Sequence, residues 1–321
     1  MINRSQPAPT PVPRVTVIIP AYRVTDFIGD TLASVFSQTY SDYEVILVND
    51  GCPDTLELEL AIAPYRNRIR YIVQENGGPS SARNTGIRAA RGALIAQLDG
   101  DDQWFPGFLE YQVGFLDRHP EVDVAFTDAV FMGGPHDGRR FFETNGTAGP
   151  ITLEALLRLQ VVVLTSSMVG RRECLERAGL YDESLRTVED FDLWLRLVAA
   201  GAQLAYTREV LVRYRRTSHS LSSDEIQMLN DGIFTLDKAA HTLPLSAAER
   251  DALEEGQIRM RSQLSYERGL SALRRGDSAV ARREFANVER WNSPVRLKAL
   301  QVALRVAPGL AVSAYRHIRR V

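Results

Sequence analysis

The sequence predicts an α/β fold in which helices flank a mostly parallel sheet and a helical region follows. Up to about residue 223, short runs rich in Val and Ile alternate with amphipathic helical stretches, which is typical of βαβ units. Beyond about residue 224 the strand-like runs stop and only helical periodicity remains. The 321 residues, 45% of them hydrophobic, are enough for one large domain and a smaller helical appendage.

The first part of the chain contains four predicted strands that end in polar turns or lead into helices. The pattern predicts strands at 15–20, 43–48, 69–74 and 93–98, and helices at 27–38 and 80–90. Asp50 follows the second strand and Asp99 follows the fourth. Because ligands bind outside the carboxyl ends of the strands in open α/β sheets, these two acids mark the predicted site.

The remainder of the chain is predicted to be richer in helix. Helices are predicted at 106–119, 151–160, 189–200, 225–240, 246–274, 278–288 and 294–305, and strands at 122–126 and 161–170. The Gly-rich stretch 131–150 follows neither period. We therefore predict a disordered, Pro-rich leader at 1–14, a sheet domain at 15–223 and a helical region at 224–321.

Composition excludes several classes of protein. The formal charge of −2, from 40 acidic and 38 basic residues, gives no reason to expect a nucleic-acid partner. Cys52 and Cys174 are far apart and form no CxxC pair, which fits a reducing compartment and two packing residues. No run approaches the roughly 18 consecutive apolar residues of a membrane span. We expect a cytoplasmic protein.

The C-terminal end has a different charge from the rest of the chain. Residues 261–321 contain 13 Arg or Lys against 4 Asp or Glu. Apolar residues lie among these charges, so the segment could rest peripherally on an anionic membrane at the inner face of the plasma membrane. The alternative is that the apolar residues pack against the sheet domain while the arginines face water.

The densest group of acids is Asp99, Asp101 and Asp102, in the sequence LDGDD after the fourth predicted strand. Such carboxylates repel one another unless a cation or hydrogen-bond donors offset their charge, and hard divalent cations prefer oxygen ligands. A solvated acidic turn explains the same residues. The DxD pattern alone does not decide between these interpretations.

Six segments, in order, resemble family 2 glycosyltransferases of the GT-A fold over about residues 15–222. They are VTVIIPAY (15–22), SVFSQTYSDYEVILVNDGCPD (34–54), NGGPSSARNTGIRAARG (76–92), LDGDD (98–102), GLYDESLRTVEDFDLWLRLVAAG (179–201) and YRRTSHSLS (214–222). The resemblance implies a GT-A catalytic domain at 15–223, with a nucleotide-binding half at 15–102 and an acceptor half at 103–223.

The resemblance also implies a donor site and a metal site. The donor-binding residues would be Pro20, Ala21, Tyr22, Asp50, Arg83, Asp99 and Gly100. Asp50 would hold the base or ribose, and Arg83 would offer planar, bidentate hydrogen bonding near the diphosphate. Asp101 would hold Mn²⁺ or Mg²⁺, with Asp102 supporting that shell. His219 is a further candidate metal ligand, although a loop histidine without a ligand role explains it equally.

Two departures from the family pattern occur in the turn after the second strand. The family often has Asp-Asp-Gly-Ser there, whereas this chain has Asn49-Asp50-Gly51-Cys52. Asn49 carries no charge, and Cys52 replaces a good hydroxyl donor. We therefore expect the turn to be held differently, with Asp50 retained.

Glu189 and Asp190 begin a predicted helix, where negative charge is favoured, so helix capping alone would explain them. The resemblance instead implies that one of them is the general base that takes the proton from an acceptor hydroxyl. We assign this role to Asp190 ahead of Glu189.

The resemblance therefore implies an inverting, metal-dependent glycosyltransferase of cell-envelope glycan synthesis, with a nucleotide-sugar donor, UDP-sugar favoured, and a glycan or lipid-linked acceptor. One alternative is a non-catalytic module that binds nucleotide-sugar or glycan. A second is a sugar-nucleotide pyrophosphorylase, which would place a Gly-rich, Arg-containing loop after the first strand. This chain has Pro20-Ala21-Tyr22 at that point.

Overall fold

The computed structural model describes residues 12–217, 224–288 and 295–318. Contacts divide the chain into two compact units. The first unit comprises Met1–Ile151, Val161–Ser184 and Arg196–Arg216, and the second comprises Thr152–Gln160, Leu185–Leu195 and Thr217–Val321. This grouping differs from the predicted boundary after residue 223, because two earlier segments group with the C-terminal helices.

The first unit contains an eight-stranded sheet. Its strands are β1 (Val15–Ala21), β2 (Tyr43–Asp50), β3 (Arg70–Gln74), β4 (Leu94–Gln97), β5 (Gln103–Trp104), β6 (Val124–Met132), β7 (Met168–Arg171) and β8 (Leu204–Arg215). Their order is β3-β2-β1-β4-β7-β6-β8-β5. Four of the seven pairings are parallel, and β7 runs antiparallel between β4 and β6. The predicted α/β fold with a mostly parallel sheet and C-terminal helices is confirmed.

Helices connect the strands and form the C-terminal region. In chain order they are α1 (Thr25–Phe36), α2 (Thr55–Ile62), α3 (Gly78–Ala89), α4 (Phe108–Arg118), α5 (Phe141–Asn145), α6 (Leu153–Leu157), α7 (Arg172–Arg177), α8 (Glu189–Ala199), α9 (Glu225–Thr242), α10 (Ala247–Arg275), α11 (Ser278–Ala286), α12 (Val295–Val306) and α13 (Pro308–Ile318). Among the described residues, no helix is both long enough and apolar enough to cross a membrane.

The central strands form the core of the first unit. In β1, VTVIIPA is buried along nearly its whole length, as expected for a parallel strand covered on both faces. Gly86 brings α3 close to this strand, because a Cβ atom at that position would lie 2.4 Å from Ile18 Cγ2. The missing side chain therefore lets α3 pack directly against β1.

The predicted strand at 161–170 is wrong for most of its length. Only Met168–Arg171 is a strand, and a 3-10 turn at Thr165–Ser167 precedes it. The Trp104 Nε1–H donates to the Ser166 carbonyl at 2.7 Å, and the Gln112 side-chain amide donates to the Ser167 carbonyl at 2.8 Å. These side chains take the carbonyls that a longer strand would have paired with a neighbouring strand.

Six elements were absent from the sequence prediction, namely α2, α5, α7, α13, the short strand β5 and the twelve-residue strand β8. β8 mixes charged and apolar residues and is mostly half-buried or exposed, so it lacks a clear strand signal. Residues 1–11 of the predicted leader lie outside the described residues. At its end the Leu94 N–H donates to the Arg14 carbonyl at 3.0 Å, so this part belongs to the folded unit.

The C-terminal helices of the second unit have well-defined boundaries. Ser246 and Glu249 form a reciprocal capping box at the start of α10, and Gly276, with φ of +89°, ends that helix. α10 to α13 share one apolar cluster, whose fully buried members include Leu273, Phe285 and Leu304. The predicted helical region is therefore present as a packed group of helices.

Candidate active site

The turns that follow β1, β2 and β4 lie at one edge of the sheet. These strands are parallel neighbours, with Ala21 beside Asn49 and Ile18 beside Gln97. The turns carry Tyr22, Asp50 and Asp99, so the structure brings the predicted donor residues of the first unit to a common edge. The Tyr22 side chain is partly exposed there.

Asp50 is buried and its carboxylate is occupied by protein donors. Oδ1 accepts hydrogen bonds from the Gln74 amide at 2.7 Å and the Gly77 N–H at 2.9 Å. Oδ2 accepts from the Gly78 N–H at 2.9 Å. Because Gly77 and Gly78 begin α3, a carboxylate here is stabilised by the helix N-terminus. Asp50 therefore joins β2 to α3 in addition to its predicted donor role.

The turn after Asp50 is held by Asn49 and Cys52. The Asn49 side-chain oxygen accepts the Cys52 N–H at 2.8 Å, and its amide donates to Tyr71 Oη at 2.8 Å. The Cys52 thiol accepts the Arg23 N–H at 3.1 Å and donates to Asp54 Oδ1 at 2.9 Å. Burial raises the pKa of this thiol. Cys52 therefore keeps both a donor and an acceptor function, although the thiol is weaker than a hydroxyl in each.

Arg83 pairs with Asp99. Arg83 Nη2 lies 2.7 Å from Asp99 Oδ1, and the two side chains are 6% and 29% exposed. The guanidinium also lies 5.5 Å from the centre of the Tyr181 ring, and the Asp99 N–H donates to Ser166 Oγ at 3.1 Å. Arg83 is therefore not a solvated surface residue. Its positively charged guanidinium lies beside the acidic residues of this turn.

The ionised forms of the Asp101 and Asp102 side chains are destabilised by their surroundings. Burial, followed by the charge of Asp99, raises the pKa of Asp101 to about 6. Asp102 is fully buried, and burial followed by the charges of Asp101 and Asp99 raises its pKa well above the ordinary value. An all-oxygen group with excess negative charge has the chemistry that a hard divalent cation requires. The residues of the turn therefore fit a bound Mn²⁺ or Mg²⁺.

Gly100 and Thr31 fix the backbone of this acidic turn. A Cβ atom on Gly100 would lie 2.9 Å from Val24 Cγ2 and 3.0 Å from the Pro20 carbonyl, so only glycine allows the turn to approach β1 so closely. Thr31 Oγ1 lies 2.9 Å from the Gly100 carbonyl and 2.8 Å from the Asp102 carbonyl.

Arg215, at the end of β8, is a site residue that the sequence prediction missed. Its backbone N–H donates to Asp102 Oδ1 at 2.7 Å, and its Nε–H donates to the Asp101 carbonyl at 2.8 Å. The guanidinium also lies 3.7 Å from Asp30 and 4.6 Å from the centre of the Phe27 ring, both on α1. Arg215 lies in the segment YRRTSHSLS, in which only His219 was singled out. His219 itself lies outside the described residues.

Glu189 and Asp190 belong to the second unit. They begin α8, where Asp190 Oδ1 accepts the Phe191 N–H at 2.7 Å and Glu189 is buried. The preceding residue, Val188, has φ of +53°, a strained conformation for a β-branched residue. One turn further, Asp192 pairs with Lys238 at 2.7 Å, which ties the start of α8 to α9.

No three His, Cys, Asp or Glu side chains within 12–217, 224–288 and 295–318 converge as a preformed metal cluster. The metal role of Asp101 and the base role of Asp190 remain predictions.

Comparison with known proteins identifies the family. The sequence model of the family described as Glycosyl transferase family 2 matches residues 16–178, half of the chain. The chain belongs to this family, as its motifs predicted. TuaG of Bacillus subtilis strain 168, a putative teichuronic acid biosynthesis glycosyltransferase, is 30% identical over 216 residues, which are 66% of this chain and 83% of TuaG.

Other relatives match a smaller share of their own length. The uncharacterized glycosyltransferase EpsJ of the same strain is 34% identical over 221 residues, 66% of this chain and 63% of EpsJ. An uncharacterized glycosyltransferase of Rickettsia felis is 27% identical over 206 residues, 63% of this chain. This chain spans about a third (34%) of that protein's length.

Solved structures show the same fold. S. aureus TarS 1-349, in complex with UDP-GlcNAc, superimposes with a TM-score of 0.63 at 18% identity, covering 96% of this chain and 91% of TarS 1-349. The mannosyltransferase PcManGT from Pyrobaculum calidifontis, in complex with GDP-Man and Mn²⁺, gives 0.62 at 18% identity, covering 98% and 89%. The fold is that of GT-A glycosyltransferases.

Proposed function

We propose that this chain is an inverting glycosyltransferase that moves a sugar from a nucleotide-sugar donor to an acceptor hydroxyl. The observation that carries the proposal is the acidic turn, defined here as Asp99–Asp102. It lies at the same sheet edge as Asp50, and its Asp99 is paired with Arg83. Family membership and the two GT-A structures with nucleotide-sugars support it.

The donor would bind across the turns that follow β1, β2 and β4. Pro20, Ala21 and Tyr22 would form one wall for the base. Asp50, already held at the start of α3 by Gly77 and Gly78, would accept hydrogen bonds from the base or ribose. This pre-formed arrangement reduces the ordering cost of binding.

The diphosphate would lie beside the Arg83–Asp99 ion pair, next to the rest of the acidic turn. Arg83 would donate to phosphate oxygens, while Asp99 keeps the guanidinium oriented and contacts the ribose. Gly100 keeps the turn close to β1, and Asp101 with Asp102 behind it would hold Mn²⁺ or Mg²⁺. A cation there would offset charge on the departing nucleoside diphosphate.

Asp190 would act as the general base. It would take the proton of the acceptor hydroxyl as that oxygen forms a bond to the anomeric carbon, and the bond from this carbon to the diphosphate oxygen would break. Attack from the face opposite the leaving group inverts the anomeric configuration. Glu189, which is buried beside it, is the second candidate for the base.

We further propose a UDP-sugar as the favoured donor and a glycan or lipid-linked acceptor of the cell envelope. TarS was solved with UDP-GlcNAc, and TuaG is named for a teichuronic acid pathway. PcManGT was solved with GDP-Man and Mn²⁺, so GDP-sugars belong in the test. The enzyme would work in the cytoplasm, at the inner face of the plasma membrane.

The direct test is a thermal-shift screen of UDP-, GDP- and dTDP-sugars with Mn²⁺, followed by nucleotide release with and without acceptor. A ligand that binds only the folded chain raises its melting temperature. We expect one nucleotide series to do so with Mn²⁺, and release to increase with acceptor. A screen in which no donor shifts the melting temperature would contradict the proposal. Donor binding without release under any acceptor condition would indicate a binding module instead.

A further inference from the structure

The second unit exposes an apolar surface that contains none of the proposed donor-binding or metal-binding residues. Three large apolar side chains on α12 and α13 face solvent, with Val302 60%, Val306 81% and Leu310 75% exposed. We call Val302, Val306 and Leu310, together with Lys298 and Arg305, the α12–α13 face. Both of these basic residues are also exposed.

The packing of α12 turns the α12 residues of this face outward. The opposite side of α12 carries Leu297 and Leu304, which are buried with Val312 of α13 in the apolar cluster shared with α10 and α11. Residues 298, 302, 305 and 306 lie within about 100° of one another around an α-helix, so they form one stripe. Packing therefore covers Leu297 and Leu304 but leaves Val302 and Val306 exposed.

The charge around the stripe has one sign. Residues 295–318 contain four Arg or Lys and no Asp or Glu. Among the described side chains, no carboxylate lies within ion-pair distance of Lys298 or Arg305. An apolar stripe whose own helix carries cations and no carboxylate complements a surface that is apolar inside and anionic outside.

The chain has a second exposed apolar surface, and its neighbouring charges are acidic instead of basic. On α2, Leu56 and Leu60 are each 74% exposed and are one helical turn apart. Their exposed neighbours are Glu57 and Glu59, so that surface would be repelled by anionic lipid. The two surfaces match in exposed apolar residues and differ in the sign of their charge.

We propose that the α12–α13 face docks on the headgroup region of an anionic lipid bilayer. Val302, Val306 and Leu310 would enter the boundary between headgroups and acyl chains, while Lys298 and Arg305 contact lipid phosphates. Docking would hold the enzyme at the membrane surface without a spanning helix. It needs neither the donor nor the acidic turn, so it extends beyond the proposed sugar transfer.

The test is co-sedimentation of the full chain with vesicles of phosphatidylcholine, alone or mixed with phosphatidylglycerol. We expect binding to the anionic vesicles that weakens at high salt, and little binding to the neutral ones. Lys298→Gln with Arg305→Gln should weaken partitioning about 25-fold, at about fivefold per charge. Val306→Ser with Leu310→Ser should weaken it about tenfold or more.

The matched control is Leu56→Ser with Leu60→Ser, which removes equally exposed leucines and should leave partitioning unchanged. Helicity by circular dichroism and the donor-induced thermal shift should be unchanged in all three variants, which separates docking from folding and from donor binding. Equal binding to neutral and anionic vesicles, or α12–α13 variants that bind like wild type, would overturn the proposal. So would a vesicle-free dimer that the α12–α13 variants dissociate, because the face would then join two copies.

Discussion

The turns after β2 and β4 carry acids at the same edge of the sheet, but in opposite electrostatic surroundings. Asp50 accepts hydrogen bonds from Gln74, Gly77 and Gly78, so the protein itself stabilises its charge. Asp101 is half-buried, and its loss of hydration, followed by the charge of Asp99, raises its pKa to about 6. Asp50 is therefore neutralised by donors within the fold, whereas we propose that a cation would neutralise Asp101.

The largest expected effect comes from removing the acid that we assign to the cation. Asp101→Ala should lower sugar transfer about a thousandfold, because a Lewis acid on the leaving group contributes several kcal/mol. Steady-state rates across a Mn²⁺ series measure this loss. Glu75→Gln removes an exposed carboxylate just after β3 and should leave the rates unchanged. An Asp101→Ala enzyme with wild-type metal dependence would show that the acidic turn is structural.

The next effect concerns the acids at the start of α8. Asp190→Asn should lower the transfer rate about a hundredfold or more while donor binding persists, because the amide cannot accept the hydroxyl proton. Single-turnover transfer and the donor-induced thermal shift separate the two properties. Glu189→Gln is the paired variant, and we expect the smaller loss from it. Full transfer by Asp190→Asn would reject the base assignment.

Asp50 should behave as a structural acid in the ligand-free protein. Asp50→Ala removes the acceptor of the Gly77 and Gly78 N–H groups, so the free energy of unfolding should fall by about 1 to 3 kcal/mol. Urea denaturation measures this change. An unchanged free energy of unfolding would mean that water replaces the carboxylate without cost, and the contrast with Asp101 would disappear.

An effect of similar size is the dependence of stability on pH. The raised pKa of Asp101 means that the folded chain binds more protons than the unfolded chain between its ordinary pKa of 3.8 and about 6. In metal-free protein, the ionised carboxylate therefore destabilises the fold above about pH 6.

Asp101→Asn should accordingly stabilise metal-free protein at neutral pH, by about 1 to 3 kcal/mol. This gain should shrink as the pH falls through 6 and vanish near 3.8, where the wild-type carboxyl is protonated. Urea denaturation in the presence of a chelator, repeated across this range, gives the curve. Destabilisation by Asp101→Asn at every pH would contradict the electrostatic account.

The local sequence pattern is sufficient to predict much of the nucleotide-binding half of the first unit. The buried run in β1 and the polar turns after β2 and β4 place Asp50 and Asp99 at one edge of the sheet, because parallel strands align their carboxyl ends. The same pattern does not predict Arg215. Its role depends on β8 meeting a turn more than 100 residues earlier in the chain, a contact that leaves no local signal.

Side-chain hydrogen bonds account for another error. Ser166 and Ser167 were assigned to a strand, but Trp104 and Gln112 take their carbonyls, and Ser166 Oγ accepts the Asp99 N–H. A single-sequence pattern reports apolar periodicity and contains no information about such partners. Conversely, the sequence shows that the charged residues of 295–318 are all basic, and only the structure shows which apolar residues among them are exposed.

The central claim is that a divalent cation completes the acidic turn. Calorimetric titration of Mn²⁺ into the chain, with UDP present, tests it most directly on wild type, Asp101→Asn and the Glu75→Gln control. We predict one Mn²⁺ bound by wild type and by Glu75→Gln, and binding lost or greatly weakened in Asp101→Asn. Wild-type Mn²⁺ affinity in Asp101→Asn would contradict the claim and place the cation, if one binds, elsewhere on the chain.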